Sequence, residues 1–354
     1  MKLVFIDPKC PKPYDSNVLA TRGLGGTEAT VVRIARALAA RHDVYVLQHN
    51  RTELLEETAS LHYLPFSELR GTVAGAEHVI FVQKAQDIST VARIAKGRMW
   101  LWLHNYLKDE VPFFWHDHLQ HRLGIICVSR THAEHTRRYV HQHPLFLLSA
   151  GLIGRGGITY LHNPIDDKLA PQPGIAKEKY KLVSFSSPHK GIEHVIAAFK
   201  RVYAANPAFR LFLADPGYIQ NFDLSILDHP GITNVGSLPH SEVMKQVQES
   251  FCVFYPQYKR PETFGLVYAE ANALGVPVLA HDFGAAREIL GKGNPPIDAR
   301  DIDQVVATLM GWERDGPPAV QAKPDFAIRK VASLWDSFLS GPDAFIRRQR
   351  NAPA

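Results

Sequence analysis

Short apolar runs alternate with longer amphipathic segments through the first half of the chain. Lys2–Asp7, Asp43–Gln48, Leu61–Pro65, His78–Gln83, Arg98–His104, Gly124–Ser129 and Ile158–Leu161 read as strands. Thr27–Arg41, Asp87–Lys96 and His132–Val140 read as helices. Strands that alternate with helices predict a parallel sheet covered on both faces.

The pattern then restarts. Lys181–Ser186, Phe209–Ala214, Ile232–Val235, Phe251–Pro256 and Val276–Ala280 read as strands, with helices over Gly191–Ala205 and Ser241–Ser250. Between the two halves, Asn163–Gly174 is rich in proline and polar residues and reads as a linker. A chain of 354 residues has room for two domains. The expected boundaries are 1–165 and 175–325, with a C-terminal segment 326–354. In that segment Phe326–Leu339 has helical periodicity and is expected to pack back on the first domain.

The richest chemistry lies in Arg260–Ala280, where Glu262 and Glu270 flank a turn that opens a helix. Pro261 interrupts regular structure, and Gly265 lets the backbone approach a ligand. Leu266, Val267, Ala269, Ala273 and Leu274 recur at helical spacing, and Gly275 and Pro277 supply the stop. The helix start offers N–H groups around Phe264 to Leu266 to an anion.

Two further strand-to-helix turns suit phosphate. Gly23–Glu28 holds Gly25 and Gly26, with Thr27 placed to cap the following helix. It is not a dinucleotide fingerprint, because the third glycine is missing. Ser184–Gly191 holds Ser186, Ser187 and Lys190, where a cation can neutralise a diphosphate. A flexible turn and a solvated lysine are the plainer readings of each alone. Two such turns, one per half, favour a ligand cleft between the domains. His104 and Asn105 follow a very apolar strand and should emerge at its C-terminal edge.

Of the 18 histidines, His116 and His118 with His121, and His132 with His135, have ligand-like spacings, but no carboxylate or cysteine partners recur with them. Asp301 and Asp303 resemble a metal triplet, though capping the next helix is the plainer role. No metal site is assigned. Walker-loop and nucleophilic-serine patterns are missing as well.

Bulk composition narrows the classes. Hydrophobic residues at 45% and charged residues at 21% suit a globular protein with real cores. A net charge of +5 is too small for a dedicated nucleic-acid binder and compatible with an anionic substrate. Three scattered cysteines suggest neither disulfides nor zinc. No apolar run reaches a bilayer-spanning length, and the N-terminus reads as a strand, not a signal peptide. A cytoplasmic location is expected. Arg347, Arg348 and Arg350 leave room for peripheral contact with anionic lipid at the inner membrane face.

Taken in order, these residues resemble a family 4 glycosyltransferase of the GT-B type. The resemblance is carried by Gly25-Gly26, His104-Asn105, Asn163-Pro-Ile-Asp166, Lys190-Gly191, Gly236, the Glu262/Glu270 pair with Phe264-Gly265, and Glu288. It implies an α/β chain of two Rossmann-like domains facing each other across a cleft. It also implies retaining transfer of a sugar from a UDP- or GDP-type nucleotide sugar to a glycan, lipid-linked or small-molecule acceptor, without a metal or other cofactor. On that resemblance Glu262 holds the donor sugar's hydroxyls, Glu270 the ribose, and Lys190 the diphosphate. Phe264, Gly265 and Leu266 offer backbone N–H groups, Gly25 and Gly26 approach the phosphate and acceptor, and His104 lies against the sugar.

Two residues depart from the family: Phe185 stands where an arginine is usual, and Pro164 stands where glycine is frequent, which should only stiffen the linker. Ser186 and Ser187, or Arg260 or Arg22, would have to replace the arginine. Three other readings stay open: a sugar-nucleotide epimerase of related shape, a non-catalytic nucleotide-sugar or glycan-binding protein, and, more distantly, an NAD-dependent dehydrogenase.

Overall fold

The computed structural model describes residues 1–107, 120–142, 157–215 and 224–351. By their contacts the residues fall into two compact units. One comprises Met1–Ser16, Thr30–Pro164 and Ile328–Ala354, and the other Asn17–Ala29 and Ile165–Ala327. The Gly25-Gly26 turn, expected in the first domain, thus groups with the second unit.

The first unit is built on strands β1 (Lys2–Asp7), β2 (Asp43–Gln48), β3 (Leu55–Thr58), β4 (Leu61–Pro65), β5 (His78–Val82), β6 (Arg98–Trp102), β7 (Gly124–Cys127) and β8 (Ile158–Tyr160). Their order across the sheet is β3-β4-β2-β1-β5-β6-β7-β8. All pairings are parallel except β3 with β4. Side chains alternate between faces along each strand. Val4 and Ile6 of β1, with Leu101 and Leu103, belong to a core cluster that also takes in Val79, Phe81, Ile125 and Val140. Phe5, of opposite parity, meets Trp102 and Trp335 with ring centroids 6.1 Å away in each case.

The helix Ile328–Ser340 supplies that second face with Val331, Trp335, Phe338 and Leu339, all buried. Phe338 lies edge-on to Trp100 at 4.6 Å, and Trp335 edge-on to Trp102 at 4.9 Å. The helix Pro342–Asn351 follows. Its arginines Arg347, Arg348 and Arg350 are exposed while Phe345 and Ile346 are buried. The tail therefore docks through an apolar stripe and carries its charge outward.

The second unit holds β9 (Glu178–Phe185), β10 (Arg210–Asp215), β11 (Ile232–Ser237), β12 (Ser250–Tyr255) and β13 (Val278–Ala280), ordered β11-β10-β9-β12-β13 and all parallel. Its core gathers Leu182, Phe199, Val202, Phe209, Leu211, Cys252, Phe254 and Leu279. The helix Ile192–Ala205 contributes Phe199 and Val202 at i and i+3, one face toward the sheet.

Several short elements differ from the expected pattern. The strand expected over Arg98–His104 leaves the sheet ladder at Trp102. The helix expected from Thr27 begins at Gly26, so Thr27 sits in its first turn and Gly25 takes the cap position, accepting from Ala29 N at 2.9 Å. Asp301 does cap the helix Ile302–Asp315, accepting from Gln304 N at 3.1 Å.

Candidate functional site

β9 and β12 are parallel neighbours, with Val253 opposite Val183. Both therefore deliver the loops that follow them to one edge of the sheet. After β9, Pro188–Lys190 forms a 3-10 turn in which Lys190 N donates to Ser187 O at 3.0 Å. Gly191 then takes φ 112°. A Cβ there would lie 3.0 Å from Lys259 Cβ and 3.3 Å from Gln257 Cβ, so the close approach of the two loops requires glycine. Buried Gln257 fixes the second loop: its Nε2 donates to Arg260 O at 2.8 Å, and its Oε1 accepts from Lys259 N at 3.0 Å.

The two loops meet in an ion pair. Lys190 Nζ donates to Glu262 Oε1 at 2.8 Å and Oε2 at 2.9 Å. The Glu262 side chain is 8% exposed and that of Lys190 35%. Tyr255, the last residue of β12, donates its hydroxyl to Glu262 Oε1 at 2.8 Å. Ser186 Oγ lies 3.0 Å from the same phenol oxygen. Burial, reinforced by the charge of Glu262, raises the Tyr255 phenol well above its ordinary range, so it keeps its proton. That proton goes to the carboxylate, which leaves Ser186 as the donor in the Ser186–Tyr255 bond. Its single proton is then committed within the protein.

The helix Leu266–Ala273 begins immediately beyond Thr263 and Phe264. Gly265 caps it at φ 88°, and a Cβ there would fall 2.4 Å from Tyr268 Cδ2. The first N–H groups of such a helix have no carbonyl partner within it. The Phe264 ring itself is core, edge-on to Phe326 at 5.1 Å. A Cβ on Gly26 would lie 3.2 Å from Leu266 Cδ1, so the glycine turn abuts this helix start. Glu270, one turn further along, is 3% exposed, and its Oε1 lies 2.9 Å from His240 Nε2. His240 opens the helix His240–Glu249 and had no assigned role in the sequence.

The second unit thus brings Ser186, Lys190 and Glu262 together through Tyr255, and sets Gly26 against Leu266. Phe185 ends β9 half-buried. Around His189, burial first and then the charges of Arg260 and Lys190 lower the imidazole pKa, which puts Arg260 in the electrostatic neighbourhood of the Lys190 turn. Arg22 is exposed at the end of the short helix Ser16–Thr21.

In the first unit His104 stands just beyond β6, buried, with its ring 4.6 Å from that of Trp102. Burial, aided by His132, pushes its pKa down to about 3. It is a neutral hydrogen-bonding group at neutral pH and no acid. From about pH 6.5 down to 3 the unfolded chain binds a proton here that the folded chain refuses. Stability therefore falls as pH drops through this window, by up to about 1.4 kcal/mol per pH unit. In His104→Asn the melting temperature should fall less steeply between pH 6.5 and 4 than in the wild type. Equal slopes would show that the imidazole is not held neutral.

His132 and His135 both pack edge-on to Tyr106, at 5.0 and 4.7 Å. His121 Nε2 lies 3.4 Å from Ser89 Oγ. His116 and His118 lie outside the described residues. Among the described residues no group of three or more metal-ligating side chains converges, and no helix is long and apolar enough to cross a membrane.

Residues 166–324, nearly all of the second unit, match the family described as Glycosyl transferases group 1. Over that stretch the chain resembles a glycosyl transferases group 1 domain. Glycogen synthase of Mycobacterium tuberculosis is 25% identical over 193 residues, covering 52% of this chain and 46% of that protein. A GDP-mannose-dependent mannosyltransferase of Mycolicibacterium smegmatis, acting on phosphatidylinositol monomannoside by its name, is 28% identical over 165 residues, 40% of this chain and 43% of that one. This chain spans about half the length of these relatives in the matched regions. Among solved structures, Anabaena HepE in complex with UDP and glucose superimposes with a TM-score of 0.68 at 17% identity, covering 96% of this chain and 100% of that one. The fold is that of the GT-B glycosyltransferases.

Proposed function

We propose that the chain is a retaining glycosyltransferase that moves a sugar from a nucleoside-diphosphate sugar to a glycan, lipid-linked or small-molecule acceptor. The observation that carries this reading is the Lys190–Glu262 pair at the C-terminal edge of β9 and β12, beside the start of the helix that bears Glu270. Open α/β sheets bind ligands at that edge. Lys190 is assigned to the donor diphosphate, Glu262 to the sugar hydroxyls and Glu270 to the ribose. The N–H groups of Phe264, Gly265 and Leu266 are assigned to the diphosphate, and Gly25 and Gly26 to its close approach on the acceptor side.

Ser186 drops out as a stand-in for the missing arginine, because its proton is committed to Tyr255. Arg260, which shares the His189 neighbourhood with Lys190, is the better replacement. Ser187 remains a hydroxyl contact. His104, being neutral, is assigned a hydrogen bond to the sugar and no proton transfer.

The reaction breaks the bond between the sugar's anomeric carbon and the diphosphate oxygen. The acceptor hydroxyl bonds to that carbon from the same face, and its proton passes to the leaving phosphate oxygen. Negative charge develops on the diphosphate, where preorganised cations and backbone N–H groups act most strongly. Glu262 is an unsuitable nucleophile, since Lys190 and Tyr255 already hold its carboxylate.

Incubation of the chain with UDP- and GDP-sugars and a panel of acceptors tests the reading. Release of nucleoside diphosphate should depend on acceptor, and NMR of the product should show the donor's anomeric configuration. An inverted product, or an epimerised donor formed without any acceptor, would overturn it.

A further inference from the structure

We propose that Tyr255 is a positioning residue for Glu262, and that the chain Ser186–Tyr255–Glu262–Lys190 fixes the rotation of the Glu262 carboxylate before any sugar arrives. The proposal rests on the reading of Glu262 as the carboxylate that holds the donor sugar.

A carboxylate gripped only by Lys190 would be poorly oriented. The ammonium is a rotating point charge on a flexible stem, and the Lys190 side chain is one-third exposed. Tyr255 differs in every respect. It ends a central strand, its ring is 2% exposed, and it packs edge-on to Tyr268 at a centroid distance of 6.0 Å. Tyr268 in turn fills the space over Gly265, the cap of the Glu270 helix. The phenol therefore points in one direction only.

The proton order along the chain is fixed as well. An ionised carboxylate only accepts, so the Tyr255 hydroxyl donates to Glu262 Oε1 and accepts from Ser186. Oε1 receives both Tyr255 and Lys190, while Oε2 receives Lys190. Oε1 thus takes two donors before substrate contact. A donor sugar then meets a carboxylate in one orientation, which lowers the ordering cost of the hydroxyl contacts that strengthen in the transition state.

Ser186 acts on Glu262 only through Tyr255, so the order of effects is determined. Tyr255→Phe keeps the ring and removes one hydrogen bond to a charged group, which is worth about tenfold in rate. It should lower kcat about tenfold with little change in donor KM. Ser186→Ala should cost less, and the double variant should be no worse than Tyr255→Phe alone. Additive losses in the double variant would contradict the chain.

Ligand-free crystal structures give a readout that does not depend on activity. In Tyr255→Phe the Glu262 carboxylate should rotate or split into two conformers, whereas in the wild type it holds one. A single unchanged conformer in Tyr255→Phe would overturn the inference, whatever the substrate. Absence of nucleotide-sugar turnover by the wild type, with the rotation in Tyr255→Phe still seen, would instead count against the transferase reading alone. A fall in melting temperature with kcat unchanged would reduce Tyr255 to a structural role and overturn the positioning claim.

Discussion

Glu262→Ala is expected to reduce kcat/KM for the nucleotide sugar by about 10²–10³-fold, a loss of about 3–4 kcal/mol of transition-state stabilisation. The carboxylate sits at the junction of two loops, on a side chain that is 8% exposed. Its removal deletes the proposed sugar contact and leaves both Lys190 Nζ and the Tyr255 hydroxyl without the acceptor they now share. Glu262→Gln separates these effects. The amide keeps the shape and one oxygen acceptor but loses the charge that attracts Lys190. It should retain nucleotide binding and lose turnover. Steady-state kinetics on both variants, with circular dichroism to confirm folding, checks this. Full activity in Glu262→Gln would remove the carboxylate from the chemistry.

Lys190→Met is expected to lower kcat by about a hundredfold and to weaken nucleoside-diphosphate binding in parallel. The side chain carries a cation bonded directly to Glu262, on a turn aimed at the same sheet edge. Its loss also removes the lysine that pairs with this buried carboxylate. Because the Lys190 side chain is one-third exposed, that stability cost is about 1–2 kcal/mol, below the figure for a fully buried pair. The double variant Lys190→Met/Glu262→Gln should be more stable than the sum of the single losses predicts, since it removes both charges together. Isothermal titration with UDP or GDP and thermal melts of the three variants measure both effects. If Lys190→Met binds diphosphate as tightly as the wild type, the cation lies elsewhere.

The strongly periodic elements of both sheets were legible in the sequence, because long apolar runs between glycines and prolines leave few alternatives. Leu55–Thr58 was not. It is a four-residue edge strand with two glutamates, half exposed, and its pairing with β4 has no local signal. The tail helix Pro342–Asn351 was obscured by its arginines. Its buried pair, Phe345 and Ile346, is too short a stripe to outweigh them in a linear reading.

The candidate site divides in the same way. Glu262, Glu270, Gly265 and Lys190 stand out because glycine, proline and charge punctuate apolar surroundings. Tyr255 was hidden inside the run Phe251–Pro256, where an aromatic residue at a strand end reads as core. Only the register of β12 against β9 shows that its hydroxyl reaches Glu262 and Ser186. His240 was hidden for a related reason. Its partner Glu270 is 30 residues away, and a lone histidine at a helix start is usually a surface group. The Ser186 bond to Tyr255 had no signal in the sequence, because a sequence does not show where a hydroxyl proton goes.

The central claim is that the second unit binds a nucleoside diphosphate through Lys190 and Glu270. Thermal melting of the wild-type chain with UDP, GDP, ADP and TDP, repeated on Lys190→Met and Glu270→Ala, tests it most directly. A ligand at a hundred times its dissociation constant should stabilise the fold by about 2.7 kcal/mol. At least one nucleotide should shift the wild-type melt, and both variants should lose most of that shift. No shift with any of the four, or an undiminished shift in both variants, would contradict the account.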